Sequence, residues 1–410
     1  MYEQINEITF KISPYCNLDC EYCFQKHDVK TKYGYFNKYD ELLEFLKKLP
    51  IGPKFEIKLT GGETSLYPDQ IRLAYRRLKK LERYKDTEVR FTTISNGTNM
   101  DALIELFSEG ILDPWGSKIS WDGIYSASKS RKPKNKLYTD DYFSDQICKL
   151  GKSKYGKDVL VRTALTKNTI DDLYDSMIFL EYNNCTKWEY YYLTDADYYN
   201  DPKFISKFEL FYSSLMHFAN VLCPDFRVQN LETLIYLNQI LPHNNINKLR
   251  SISCRHLGTS LYISMDGTIY PCGYFSDDAM FDDDKLSIGD IYHGFDKDAL
   301  EKFCKEYFEA PMCNNSLCNC YNCFECPAVA KYRTKHLQGK LKQACNLRMV
   351  ENLLYNKNKD NISSNKNNLE SINSSYSYIT NWNINKELYQ DLPFYKNLHL
   401  FNIEGMEDLI

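Results

Sequence analysis

Three cysteines stand close together near the start of the chain, in the run Cys16-Asn17-Leu18-Asp19-Cys20-Glu21-Tyr22-Cys23, a C-x3-C-x2-C spacing. Thiolates are soft ligands suited to iron–sulfur clusters and to zinc. Three of them in one short loop can hold three irons of a cubane and leave the fourth open to a small chelating ligand. A structural zinc site is the rival reading of the same spacing. Further along, eight more cysteines gather: Cys254, Cys272, Cys313, Cys318, Cys320, Cys323, Cys326 and Cys345, with Cys304 as a spare. Eight thiolates suffice for two four-thiolate clusters, and equally for one or two zinc sites.

The remaining cysteines, Cys148, Cys185 and Cys223, are isolated and read as small buried apolar residues. Fifteen cysteines in 410 residues would suggest disulfides in a secreted protein. The opening segment, MYEQINEITFKISPY, lacks the basic start and apolar stretch of an export signal. Ligation is therefore the better use for the thiols, and a cytoplasmic location is expected. A net charge of −4 gives no electrostatic case for a nucleic-acid partner. No apolar run is long enough for a membrane span.

The elements that position these residues follow from periodicity. Strands are expected at 7–12, 55–60, 89–95, 117–121, 158–165 and 188–193. Helices are expected near 39–49, 68–84, 101–109, 140–151 and 170–183. This alternation predicts an α/β fold, a partial (β/α)6 TIM-like barrel over residues 1–200. Chemistry in such folds sits at the carboxyl ends of the strands. There lie the Cys trio, Thr60-Gly61-Gly62-Glu63, Ser95-Asn96-Gly97 and Ser120-Trp121-Asp122-Gly123. A mainly helical bridge is expected over 201–250, and a cysteine-rich domain over 251–350 that opens with a hairpin through Asp266-Gly267. Residues 351–410 read as an Asn/Ser/Lys-rich linker and a tail that regains apolar residues.

Taken together, the motifs resemble the radical SAM superfamily. The trio, with an aromatic Tyr22 before the third cysteine, resembles its cluster loop. Gly61-Gly62-Glu63 resembles its GGE motif, with Thr64 where many relatives have proline. Ser95-Asn96-Gly97 and Ser120-x-Asp122-Gly123 resemble motifs of its peptide-modifying branch. The resemblance implies one [4Fe–4S] cluster on Cys16, Cys20 and Cys23 that reductively cleaves S-adenosylmethionine (SAM) to a 5′-deoxyadenosyl radical. It implies SAM contacts from Tyr22, Thr60, Gly61, Gly62, Glu63, Ser95, Asn96, Ser120 and Asp122. Glu63 would accept from the methionine ammonium, through glycines that let the backbone approach the ligand. Arg131 would pair with the methionine carboxylate, with Arg162 as rival and a solvated basic loop as the bland reading. Leu193 would contact adenine.

Cys254, Gly267 and Cys272 resemble the opening of the SPASM domain, which holds auxiliary [4Fe–4S] clusters. The later spacings depart from that pattern. By resemblance Cys254, Cys272 and Cys326 would hold one auxiliary cluster. Cys345 with several of Cys313, Cys318, Cys320 and Cys323 would hold the other. Relatives of this architecture modify peptides or proteins, which implies a ribosomally made peptide substrate and a thioether or carbon–carbon cross-link. Formylglycine formation in a sulfatase is the alternative. Enzymes of that group carry an acidic residue after the cysteine matching Cys272, and here that neighbour is Gly273. A non-catalytic zinc- or cluster-binding protein is the non-enzymatic alternative. The first strand starts near residue 7, so a separate leader-binding protein or the tail at 385–410 is expected to hold a leader peptide. Flavodoxin or ferredoxin is the expected electron donor.

Overall fold

The strands form because apolar and polar residues alternate, and the parity decides what the two faces of the sheet meet. In a computed structural model, β1 (Ile5–Lys11), β2 (Ile51–Thr60), β3 (Glu88–Ser95), β4 (Lys118–Ser120), β5 (Leu160–Leu165) and β6 (Lys187–Tyr192) lie side by side in chain order, all parallel. The structure describes residues 5–25, 34–193, 196–232, 260–276, 286–309, 347, 349–351 and 353–357. On β2, Phe55, Ile57 and Leu59 are fully buried in the hydrophobic core. Glu56, Lys58 and Thr60 point the other way, into the concave side of the sheet. This is the unclosed α/β parallel sheet of a partial TIM-like barrel.

Helices pack the outer face. Helix α1 (Tyr39–Lys48) buries Tyr39, Leu42, Leu43, Phe45 and Leu46, with acids in its first turn and lysines in its last, which suits the helix dipole. Helices α2 (Pro68–Leu78) and α3 (Met100–Ser108) follow. The short α4 (Ala127–Arg131) and α5 (Asp140–Lys152) stand between β4 and β5, with Thr139 capping α5 at Tyr142 N. Helix α6 (Leu173–Tyr182) leads to β6, and α7 (Pro202–His217) follows it. Of the expected bridge, residues 201–232 are described, and most of them are helical. A π-turn at Phe218–Leu222 follows α7, and β7 (Arg227–Val228) adds a parallel strand beside β6.

The hairpin through Asp266-Gly267 forms as β8 (Ser260–Ile263) and β9 (Thr268–Tyr270), with Gly267 at φ +96° where the turn needs glycine. Its placement was not legible in the sequence. Strand β8 pairs in parallel with β1, from Glu7↔Ser260 to Phe10↔Ile263. Strands β10 (Gly289–Asp290) and β11 (Gly294–Phe295) extend the sheet, and α8 (Lys297–Glu309) follows. The residues are helical again at 347, 349–351 and 353–357. The expected linker and tail from 358 onward lie outside the described residues. No described helix is long and apolar enough to cross a membrane.

Candidate active site

The cysteine loop leaves β1 and is held on two flanks. On one, Ile12 N donates to Thr60 O (2.8 Å), Gly62 N to Ser13 O (2.8 Å) and Glu63 N to Tyr15 O (2.9 Å). A Cβ on Gly62 would sit 2.1 Å from the Tyr15 carbonyl, and one on Gly61 2.5 Å from Ser13 O. The two glycines therefore admit the cysteine loop itself, a role that the sequence reading did not give them. On the other flank, Asp19 N donates to Lys132 O (3.0 Å), Glu21 N to Ser130 O (3.3 Å) and Lys134 N to Asn17 O (3.1 Å).

Cys16 is buried, Cys20 and Cys23 are partly buried, and all three are free thiols. Burial, and then the Glu63 carboxylate, push the Cys16 thiol up to about 12. Burial likewise raises Cys20 and Cys23. Three cations oppose this and favour thiolate: Lys134 at Cys16, Arg131 at Cys20, and Lys11 with Arg131 at Cys23.

Glu63 is buried, and its carboxylate joins two strand ends. It accepts from Ser65 N (2.8 Å), Ser95 Oγ (2.5 Å) and Asn96 N (2.6 Å). Three protein donors thus occupy much of the acceptor capacity expected for the methionine ammonium. Asn96 reaches back to the cysteine loop, donating through Nδ2 to Asn17 Oδ1 (2.8 Å) and lying 3.8 Å from Cys16 Sγ. Asn17 Nδ2 donates in turn to Thr98 Oγ1 (2.8 Å).

Beyond β4, Asp122 is fully buried. It accepts from Tyr22 OH (2.5 Å) and Ala164 N (3.1 Å), and lies 3.5 Å from Arg131 Nε. Arg131 is 2% exposed, so the bland reading of a solvated basic loop is corrected: the loop carrying it folds back over the cysteines. Among the described residues, its Nε has no hydrogen-bond partner, and the other side-chain hydrogen bond is a long one from Nη1 to Asn96 O (3.4 Å). Arg162 stands one strand further on, 2.5 Å from Glu189 and stacked on Tyr191. Ser120 ends β4 in register with Arg162, partly exposed. Leu193 follows β6, its N–H donating to Tyr199 OH (2.8 Å).

Cys272 lies near the same loop. Tyr274, two residues on, stacks on Phe24 at 4.1 Å, which joins the segment after Cys272 to the residue after Cys23. Cys254, Cys313, Cys318, Cys320, Cys323, Cys326 and Cys345 lie outside the described residues. Cys185 is fully buried, whereas Cys148 and Cys223 are only partly so.

A charged ladder on the concave face was missed from the sequence. Lys58 bridges Glu7 (2.5 Å) and Glu56 (3.2 Å), and Glu189 bridges Lys118 (3.2 Å) and Arg162 (2.5 Å). The signal was present, because these residues are the polar half of the alternation that marked the strands.

The residues fit the cofactors of the resemblance. Three free thiols with three cations beside them suit an iron–sulfur cluster, and the buried, under-bonded Arg131 guanidinium suits a carboxylate. Among the described residues, no three Cys, His, Asp or Glu side chains converge on a single metal-ion position.

The sequence profile of the Radical SAM superfamily matches residues 10–115, and this stretch is a radical SAM domain. No curated protein matches the chain in sequence. Among solved structures, anSMEcpe with bound AdoMet is similar at TM-score 0.66 and 17% identity, over 91% of this chain and 98% of that one. The same protein with AdoMet and the Kp18Cys peptide gives 0.62 and 17%, over 88% and 99%. Streptococcus suis SuiB bound to the precursor peptide SuiA gives 0.51 and 14%, over 84% and 76%. At these identities the likeness is one of fold.

Proposed function

We propose that this protein is a radical SAM enzyme that modifies a ribosomally made peptide, forming a thioether or carbon–carbon cross-link. The observation that carries the reading is the free-thiol loop, held by Gly61, Gly62 and Asn96, with the under-bonded Arg131 buried beside Cys20. Cys16, Cys20 and Cys23 would hold a [4Fe–4S] cluster, and Arg131 the methionine carboxylate. When bound, these cofactors supply one-electron cleavage of the sulfonium C–S bond, giving a carbon radical that abstracts hydrogen. The chain's own part is to hold and orient. Asp122 fixes Tyr22 and Arg131 in one relation, and Glu63 with Ser95 and Asn96 locks the ends of β2 and β3 under the cluster loop.

The peptide substrate is supported by the relatives crystallised with Kp18Cys and SuiA. The preference for cross-linking over formylglycine formation rests on Gly273. A Cβ there would lie 3.1 Å from the Tyr262 ring and 3.7 Å from Phe24, so aromatic rings line the place where relatives that make formylglycine carry a carboxylate base. Cys272 and the cysteines from Cys254 to Cys345 would hold two auxiliary clusters. A separate leader-binding protein and a flavodoxin or ferredoxin donor complete the proposed system. Anaerobic reconstitution with iron, sulfide and zinc analysis tests the cofactors. Three cubanes would give about twelve irons per chain, and about four irons with zinc would replace the auxiliary clusters by a zinc site. Chains whose iron does not depend on the trio would contradict the reading.

A further inference from the structure

The charged ladder inside the partial barrel is uneven. At the β1–β2 side Lys58 pairs with Glu7 and with Glu56. At the β4–β6 side one carboxylate, Glu189, meets two cations, Lys118 and Arg162. Among the described residues, two cations therefore face one carboxylate beside Arg162, a local surplus of positive charge. Burial there gives that surplus weight, since charges in low dielectric are poorly screened.

Arg162 is also built to present a face. Its Nε is 2.5 Å from Glu189 Oε1, and its guanidinium carbon lies 4.5 Å from the centre of the Tyr191 ring. The stacking on Tyr191 sets the plane of the group, and the Glu189 carboxylate holds it by charge, although Nε makes no hydrogen bond of good geometry. Among the described residues, neither Nη donates a hydrogen bond, and the side chain is 30% exposed where its partner Glu189 is 11% exposed. The Tyr191 ring meets Tyr22 edge-on at 6.2 Å, and Tyr22 is the residue tied to Asp122 beside the cysteine loop. Arg162 is thus one tyrosine away from Tyr22. The parallel Nη pair of a fixed guanidinium matches the two oxygens of a carboxylate.

We infer that Arg162 is a carboxylate-binding subsite for the peptide, taking an Asp or Glu side chain close to the residue that is modified. Glu189 and Tyr191 are its positioning residues. This rests on the peptide-modifying reading above, and it assigns Arg162 to the substrate rather than to the methionine carboxylate.

The test uses the reconstituted, SAM-loaded holoenzyme and two capped probes, acetyl-Gly-Asp-Gly-amide and acetyl-Gly-Asn-Gly-amide, titrated by calorimetry. The wild type should bind the Asp probe roughly tenfold more tightly than the Asn probe, the size expected of one charge-assisted pair. Arg162→Gln should abolish the preference, Arg162→Lys should keep part of it, and SAM affinity should change little in either. Glu189→Gln is the second variant; it leaves the guanidinium in place and should preserve or increase the preference. Iron content and circular dichroism establish that each variant is folded and loaded. Equal binding of the two probes by wild type, binding of neither, or a preference surviving in Arg162→Gln would overturn the inference. A fall in SAM affinity with the preference intact would do the same and give Arg162 to the methionine carboxylate. Release of 5′-deoxyadenosine by the wild type is measured in parallel. Its absence would sink the radical reading by itself, whatever the titrations show.

Discussion

Asp122 is the residue on which the site's geometry turns. It is fully buried and meets a phenol, a backbone N–H and a guanidinium. Asp122→Asn would leave Arg131 as a buried cation without its counter-charge, an arrangement that usually costs several kcal/mol. SAM affinity should fall about tenfold or more while iron bound at the trio stays close to wild type, as read by equilibrium binding beside iron analysis. Tyr22→Phe should give a smaller loss in the same assay, because the Asp122–Arg131 contact survives. The cysteine trio was legible from type and spacing, and Asp122 from its place at a strand end and the motif it resembles. What Arg131 does was not, because in sequence it is one of three basic residues in a loop. Its burial depends on residues 130–133 pairing with 18–21, a contact between segments more than a hundred residues apart.

At the scale of elements, the glycines after β2 are packing residues. Gly62→Ala places a methyl against the Tyr15 carbonyl, and since that obstacle is backbone, the cysteine loop must move. The expected outcome is a folded protein, by circular dichroism, that loses about four irons per chain on reconstitution. A full iron complement would contradict this role. The base of β6 offers a separate test. Burial, and then the nearby Arg227, hold Lys187 down to about 8, against an ordinary 10.5. Its ammonium lies 3.3 Å over the Trp115 ring and donates to Asp158 O (3.0 Å). Below pH 8 the lysine is charged in both folded and unfolded states, and its penalty is constant. Between about pH 8 and 10.5 the unfolded chain binds more protons, so this group makes stability rise with pH by about 1.4 kcal/mol per unit. Lys187→Met should be more stable than wild type at pH 7, and the difference should shrink toward pH 10 in thermal melts. Strand and helix positions were largely legible because the 2.0 and 3.6 periods are strong here. The pairing of β8 with β1 was not, since both are short strands and nothing local names the partner.

Across the whole molecule, a buried polar contact ties the helical residues around 351 to the barrel. Glu351 is fully buried and accepts from Tyr190 OH on β6 (2.5 Å), with Leu347 and Tyr355 buried one turn to either side. Tyr190→Phe removes that donor from a buried carboxyl group, at a cost of about 1–3 kcal/mol. A lower melting temperature, with faster proteolysis near residue 351, is the expected result. An unchanged melting temperature would contradict a stabilising role for the Tyr190–Glu351 bond. The buried polar pin escaped notice in the sequence because the segment around it is rich in Asn and Lys and reads as a linker.

The central claim is that the Cys16, Cys20 and Cys23 loop carries radical SAM chemistry. Its most direct test is 5′-deoxyadenosine formation from SAM by the anaerobically reconstituted, reduced protein, beside a Cys16/Cys20/Cys23→Ala triple variant. The account predicts product from the wild type and none above background from the variant. No product from an iron-loaded wild type, or equal product from both, would contradict it.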